Sequence, residues 1–147
     1  ATAIETLGDS IDASFVGLKG GTTGQVLSKT SGTDLAFTWI EQDDTTLSFN
    51  AQTGTTYTLV ATDSAKFVTT SNASAVTVTI PPSVFTSGNQ INVQSIGVGL
   101  TSFVAGAGVT ITSTGATAAA PILRARYSAC TIICTASNVF TVIGDLS

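Results

Sequence analysis

The segment 17–40, GLKGGTTGQVLSKTSGTDLAFTWI, combines glycines, lysines and hydroxyl side chains, the residue types that bind phosphate in nucleotide loops. A P-loop needs a lysine directly after the last glycine of G-x-x-x-x-G-K-[ST], whereas Gln25 follows Gly24 here. The spacing G-x-G-x-x-G is also missing, and the letters QVLSKT alternate like a short strand. The sequence therefore argues against a phosphate site.

Two cysteines, Cys130 and Cys134, lie four residues apart in SACTIICTAS. On a strand they point to the same face and lie roughly 13 Å apart, too far for a disulfide. Without histidine in the chain, they do not complete a zinc site. We expect two buried thiols that act as small apolar side chains.

Catalysis lacks the usual groups. The absence of histidine removes the commonest general base near neutral pH. The densest acidic group, Glu41, Asp43 and Asp44, does not follow the pattern of a calcium loop and is interpreted as a solvated turn. We predict no enzyme activity, no catalytic residue, no cofactor and no metal.

Arg124 and Arg126 lie two residues apart in ILRARY. If this segment is a strand, both side chains share one face. That face either contacts solvent or forms salt bridges with another subunit, and both alternatives stay open.

The composition indicates an all-β protein with an unusual surface. Charged residues make up 10% of the 147 residues, against ~25% in typical soluble domains, while the chain holds 27 Thr and 16 Ser. Threonine suits strands because its branched side chain packs on a pleated surface. With a mean hydropathy of +0.43, we expect part of the surface to be buried against copies of the chain or another protein.

Several partner classes are disfavoured. A net charge of −4 with five basic residues argues against nucleic acid, and no apolar run reaches the ~18–20 residues of a membrane helix. The N-terminus has no basic region followed by an apolar one, so no signal peptide is predicted. Ala1 is the residue expected once an initiator Met is removed.

The chain divides into a weakly patterned N-terminal arm, residues 1–34, and a β-domain, residues 35–147. Apolar residues of the arm recur at helical spacings of three and four, at Ile4, Leu7, Ile11, Phe15 and Leu18. After the arm, apolar and polar residues alternate in LAFTWI, TYTLVA and AVTVTI, and Pro81–Pro82 ends the last of these. Glycine-rich separators recur between such segments, which favours a small antiparallel sandwich or barrel, jelly-roll-like.

The opening segment also resembles a stretch that recurs in virion proteins of tailed bacteriophages, of the form G-x-x-G-Q-V-L-x-K-x-S-x-T-D-x-x-x-x-W. The matching residues are Gly21, Gly24, Gln25, Val26, Leu27, Lys29, Ser31, Thr33, Asp34 and Trp39. The later YTLVATDSAKFV, NASAVTVTIPP, VAGAGVTITSTG and terminal VIGDLS are similar to a β-domain that often follows that stretch.

This resemblance implies a non-enzymatic structural protein on the outer surface of a phage virion, assembled in the host cytoplasm as a homotrimer. The leading hypothesis is a capsid decoration or cement protein, or a short head fibre, whose partners are itself and the major capsid protein. The alternative is a tail-fibre or receptor-binding knob that contacts the host surface through residues such as Tyr57, Asn89, Gln90 and Tyr127. The predicted inter-subunit or capsid contacts are Ile4, Leu7, Ile11, Phe15, Leu18, Lys29, Trp39, Arg124 and Arg126.

Overall fold

The computed structural model describes residues 2–6, 11, 20–34, 36–42, 46–114 and 120–147. The chain forms two compact units, Ala1–Thr45 and Thr46–Ser147. It is all-β, as predicted. The strands are β1 (Gln25–Lys29), β2 (Phe37–Glu41), β3 (Phe49–Gln52), β4 (Thr56–Thr58), β5 (Phe67–Thr70), β6 (Val76–Ile80), β7 (Gln90–Ser95), β8 (Thr101–Ala105), β9 (Thr110–Ser113), β10 (Ala129–Ala136) and β11 (Val139–Gly144).

The first unit contains a hairpin of β1 and β2, which lie on either side of the boundary predicted after Asp34. Near its start, residues 3–6 are helical. This turn begins with a capping box, because the Thr2 amide donates to Glu5 Oε2 (2.7 Å) and the Glu5 amide donates to Thr2 Oγ1 (3.5 Å). Leu7, Phe15 and Leu18 of the predicted helical pattern lie outside the described residues.

The second unit has a six-stranded sheet of order β3-β5-β7-β10-β11-β9 and a three-stranded sheet of order β4-β6-β8. From β3 to β8 the chain alternates between the two sheets, so each strand pairs in parallel with the strand two places along. The strand pairs β3–β4, β5–β6 and β7–β8 each form one coil, and these successive coils stack on one another. This arrangement is typical of a β-solenoid. The last two strands, β10 and β11, run antiparallel to each other, and β10 adds to β7.

The prediction of an antiparallel sheet is wrong for five of the eight strand pairs in the described residues. Short alternating segments separated by glycine turns fit both a hairpin and a coil corner. At a coil corner the next strand joins the other sheet. The strand after that returns to the first sheet and pairs with its predecessor in parallel, instead of in the expected antiparallel direction. The alternation of apolar and polar residues indicates which side chains point inward, but it does not indicate the direction of the neighbouring strand.

One hydrophobic core lies between the two sheets. The six-stranded sheet contributes Val68, Ile91, Val93, Ile132 and Phe140, and the three-stranded sheet contributes Val76, Val78, Ile80 and Phe103. In β6, buried valine and isoleucine alternate with half-buried threonine, and the strand ends at Ile80 before the prolines, as predicted. Burying each large aliphatic side chain contributes about 1.5–3 kcal/mol.

Glycines allow the coil corners to stack. A Cβ placed on Gly97 or Gly99 would overlap the backbone of Asn72 or Ser74 in the preceding coil. Hydrogen bonds also join three successive corners, because the Gly99 amide donates to the Asn72 carbonyl (3.0 Å) and Asn72 Nδ2 donates to the Thr53 carbonyl of the coil before it (2.7 Å). The corner geometry therefore requires residues without a side chain at both positions.

The first coil closes one end of the core with polar side chains. Asp63 Oδ2 accepts hydrogen bonds from the Tyr57 hydroxyl (2.7 Å) and the Val60 amide (2.9 Å), and Asp63 Oδ1 accepts one from Asn50 Nδ2 (2.6 Å). Asn50 and Tyr57 align with the core residues Val68 and Val78 of the next coil. This polar layer, Asn50–Tyr57–Asp63, acts as a cap, as terminal repeats of solenoids require.

Candidate functional site

The side chains that commonly bind metals do not cluster in the described residues. Among them, no group of three or more His, Cys, Asp or Glu side chains could hold a metal ion. Cys130 and Cys134 are buried and unpaired, as predicted, and burial raises the pKa of the Cys130 thiol to about 12. A thiol that stays protonated at neutral pH is a poor nucleophile. No helix in the described part of the chain has the length and apolar character needed to cross a membrane.

The outer surface of the six-stranded sheet, which we call the broad face, consists of the strand positions that alternate with the core. One row crosses the sheet through Phe49, Phe67, Asn92, Thr131 and Ile143, each paired in register with the next. The remaining outward positions of the face are Ala51, Thr69, Gln90, Gln94, Thr110, Thr112, Ala129, Ile133, Val139 and Thr141. No residue of the broad face is charged.

Polar groups of the broad face bond to one another. The Thr131 hydroxyl donates to Asn92 Oδ1 (2.8 Å), and the hydroxyls of Thr112 and Thr141 lie 3.1 Å apart. At one edge, Phe49 is 71% exposed and its ring centroid lies 5.7 Å from that of Phe67. The face therefore presents methyl groups, an exposed aromatic ring and polar groups that are already partly satisfied.

The outer surface of the three-stranded sheet is also uncharged. Its outward residues in β4 and β6 are Thr56, Thr58, Thr77 and Thr79, and in β8 they are Ser102 and Val104. Thus both sheets of the second unit expose hydroxyls and methyl groups. Many of the threonines that make the composition unusual therefore lie on the outer surfaces of the two sheets.

None of the charged residues of the second unit occupies an outward strand position of either sheet. Of the nine acidic and five basic side chains in the chain, only five fall after Thr45: Asp63, Lys66, Arg124, Arg126 and Asp145. Asp63 is buried in the polar cap, and Arg124 and Asp145 form a salt bridge of 2.5 Å. The two sheet faces are therefore free of the charges that normally oppose association.

The hairpin of the first unit explains most of the glycine-rich motif. An added Cβ on Gly21 would lie 2.5 Å from Cε3 of the Trp39 ring, so the glycine backbone packs directly against the indole. Gln25 accepts a hydrogen bond from the Thr22 amide (3.1 Å) and donates one to Glu41 Oε1 (2.7 Å). These contacts stabilise the hairpin itself, and none of them forms a phosphate cradle.

Both sides of this hairpin carry apolar residues. Leu27 is opposite Trp39 on one side, and Val26 is opposite Ile40 on the other, with Val26 and Ile40 exposed. An isolated two-stranded hairpin has little stability of its own in water. The exposed apolar pair is consistent with a segment that gains stability from a further contact.

The predicted contact residues of the first unit are scattered. Ile4 and Ile11 are exposed, Lys29 is an exposed residue at the end of β1 opposite Phe37, and Trp39 is half-buried in β2. Leu7, Phe15 and Leu18 fall outside the described residues.

Arg124 and Arg126 do not lie on a strand, so the prediction that they share a strand face is wrong. They precede β10 in a tight turn in which the Ser128 amide donates to the Ala125 carbonyl (3.1 Å). Arg124 pairs with Asp145 of the same chain, and Arg126 Nε donates to the Ile96 carbonyl (2.9 Å). The Ser128 hydroxyl, with Arg124, lowers the pKa of the Asp145 carboxyl.

Comparison with known proteins finds no matching family model, no matching curated protein and no matching solved structure. Sequence reasoning missed the broad face, although one signal for it was present. The strands β7, β9, β10 and β11 contain no charged residue, and in β7 and β9 isoleucine or valine alternates with Thr, Ser, Asn or Gln. An outward face that lacks Lys and Glu throughout is unusual for a surface exposed to water.

Proposed function

We propose that this protein is a non-enzymatic structural subunit that associates with copies of itself as a homotrimer through the broad face. The observation that carries the proposal is the absence of charge across the six-stranded sheet. Identical uncharged faces associate without burying unpaired ions, each of which would cost several kcal/mol. A second copy of this chain is therefore a suitable partner for the face.

The size of the broad face also bears on the assembly. Six strands spaced ~4.8 Å apart, with about five residues each at ~3.3 Å, cover roughly 400 Å². A stable interface buries about 800 Å² on each partner. The broad face supplies about half of this area, so a trimer needs further contacts within the second unit, for which the uncharged outer surface of the three-stranded sheet is a candidate.

We further propose that the assembly belongs to a tailed-phage virion, as a capsid decoration or cement protein or a short head fibre that binds the major capsid protein and stabilises the shell. The support is the resemblance of the motif from Gly21 to Trp39 together with the uncharged faces. A protein that binds only the assembled shell stabilises it by its binding free energy. The first unit would carry the capsid contacts.

The solution mass tests the self-association. We expect light scattering to give three times the 14.8 kDa chain mass. Ile133→Lys places a charge on the outward side of β10 and should shift the mass to that of the monomer with little change in melting temperature. Val98→Lys is the matched control, because Val98 is 65% exposed in a turn away from the face. A monomeric wild-type protein, or a trimeric Ile133→Lys variant, would contradict the proposal.

Co-sedimentation tests the capsid partner. The full chain should sediment with purified capsids of the phage that encodes it, and a variant lacking residues 1–45 should remain in the supernatant as a folded trimer. Adhesion of the full chain to host cells without capsid binding would instead support the tail-fibre alternative. Capsid binding by the shortened variant would disprove the role given to the first unit.

A further inference from the structure

The turn before β10 places a tyrosine where the backbone favours glycine. The Ser128 amide donates to the Ala125 carbonyl (3.1 Å), the Ala125 amide donates to Ser128 Oγ (3.0 Å), and Tyr127 has a φ of 70°. A positive φ at the third residue of a four-residue turn is the pattern of a type II turn, in which glycine or asparagine is preferred. A tyrosine in this conformation is strained.

The fold does not explain this tyrosine. Its side chain is 60% exposed, so it contributes little to the core. Its backbone is fixed by groups that any residue would offer, since the Tyr127 amide donates to the Ser95 carbonyl (2.6 Å) and Gln94 Nε2 donates to the Tyr127 carbonyl (3.1 Å). Strain of this kind persists mainly at binding and switch sites.

Arg126 is held directly against this ring. Its guanidinium carbon lies 4.7 Å from the centroid of the Tyr127 ring, and its Nε donates to the Ile96 carbonyl (2.9 Å). Within the part of the chain that the structure describes, neither Nη group of Arg126 has a hydrogen-bond partner. The guanidinium is thus oriented, and two of its nitrogens remain available for the bidentate contact that a carboxylate makes.

The charged side chains around the turn restrict the class of ligand that can bind there. Arg124 is paired with Asp145, and Ser128 Oγ donates to Asp145 Oδ2 (2.6 Å), whereas Arg126 has no carboxylate partner among the residues that the structure describes. One free guanidinium suits a single carboxylate, whereas a run of acidic residues or a polyanion would also meet the Asp145 carboxylate. Carboxylate oxygens of Asp145 can accept hydrogen bonds from hydroxyl groups.

We propose that the Arg126–Tyr127 turn, together with Asp145, binds a carboxylated sugar. The carboxylate lies on the Arg126 fork, the apolar side of the sugar ring packs against the exposed tyrosine, and ring hydroxyls donate to Asp145. An exposed aromatic ring beside an oriented guanidinium and a hydroxyl acceptor is suited to this class of ligand. None of the three proposed ligand contacts belongs to the broad face, although Gln94 of that face supports the turn by donating to the Tyr127 carbonyl.

Nuclear magnetic resonance of the full-length protein tests the site with D-glucuronic acid as the probe and D-glucose as its neutral match. Each sugar is titrated to about 50 mM, well above the ~1 mM dissociation constant that a few polar contacts support. We expect glucuronate to shift the Arg126 Nε–H and Tyr127 amide signals along a saturating curve, and glucose to bind at least about tenfold more weakly. No shift with glucuronate, or equal shifts with both sugars, would overturn the proposal.

Two variants separate binding from folding. Tyr127→Gly should keep or raise the melting temperature, because glycine relieves the positive φ, and should weaken glucuronate binding about tenfold or more. Arg126→Lys keeps the charge and removes the fork, so it should also weaken binding. A lower melting temperature for Tyr127→Gly would show that the ring serves the fold, and equal shifts with N-acetylglutamate amide would assign the site to peptide carboxylates; either result overturns the proposal.

Discussion

Asn50 and Tyr57 occupy inward positions that the neighbouring coils fill with valine or phenylalanine, and Asp63 is buried beside them. A buried carboxylate is tolerated only where donors surround it, and here the Tyr57 hydroxyl, an amide side chain and a backbone N–H meet that need. Tyr57, suggested from the sequence as a receptor contact, is therefore engaged in the cap. Its alternation with Thr56 and Thr58 indicated an inward position, but the acceptor Asp63, six residues away, was not predictable from spacing alone.

Titration of Tyr57 tests this polar cap. Burial, followed by the hydrogen bond to Asp63, raises the pKa of Tyr57 from 10.0 to about 12. The neutral hydroxyl is the native form, so its contribution to stability is complete below pH 10 and is lost as the pH rises towards 12. In the Tyr127→Phe variant, which leaves a single tyrosine, absorbance at the tyrosinate band should give a midpoint near pH 12.

The partner of Tyr57 is tested in the same background. Asp63→Asn removes a hydrogen-bond acceptor and a negative charge, so it should move the midpoint towards lower pH. Asp145→Asn serves as the control and should leave the midpoint unchanged, because Asp145 lies in the Arg124 salt bridge. If the midpoint is the same with and without Asp63→Asn, the result would contradict the structure of the cap.

At the scale of elements, alternation identified the strands well and their partners poorly. The strands β4 and β6 and the end of β6 at the prolines follow from local patterns. The parallel pairing of β4 with β6 depends on contacts between residues about twenty positions apart, for which no local pattern exists. Because the coils contain different numbers of residues, the repeat has no fixed period in the sequence.

The hairpin of β1 and β2 offers a test at this scale. Gly21→Ala places a methyl group within 2.5 Å of the Trp39 ring, so the indole must move and the hairpin should loosen. Gly32→Ala is the matched control, since nothing lies within 4 Å of an added Cβ there. The fluorescence of Trp39, the single tryptophan, should shift to longer wavelength in Gly21→Ala and remain unchanged in Gly32→Ala.

Equal spectra for Gly21→Ala and Gly32→Ala would mean that the indole does not pack against Gly21. A red shift in both variants would instead indicate that the hairpin responds to any loss of glycine flexibility. Circular dichroism of each variant controls for global unfolding.

At the scale of the whole molecule, the stability of the chain resides in the second unit. Every buried apolar side chain of the described residues lies after Thr46. The sequence predicted this concentration of stability only in part: the weak patterning of residues 1–34 indicated an arm, although the alternation in QVLSKT indicated the strand β1 within it. The composition showed that the whole chain contains few charged residues. Which surfaces lack charge follows only from the strand order.

A fragment of residues 46–147 tests where the stability lies. We expect it to unfold cooperatively, with a melting temperature within a few degrees of that of the full chain, because it retains the complete core. A peptide of residues 20–42 should show no stable hairpin alone. A fragment that fails to fold, or a stable isolated hairpin, would show that the two units depend on each other in a way that the core does not explain.

The order of strands in the six-stranded sheet also affects folding during synthesis. β9 precedes β10 and β11 in the chain, yet its partner in the sheet is β11. Until β11 has left the ribosome, β9 has no strand to pair with and Ile111 has no complete core to enter. The nascent chain can stack its coils from β3 to β8 in the order in which they are made, whereas β9 must wait for a strand that is made later. A chain that terminates before β11 therefore retains an unpaired β9, which exposes it to proteases and to aggregation.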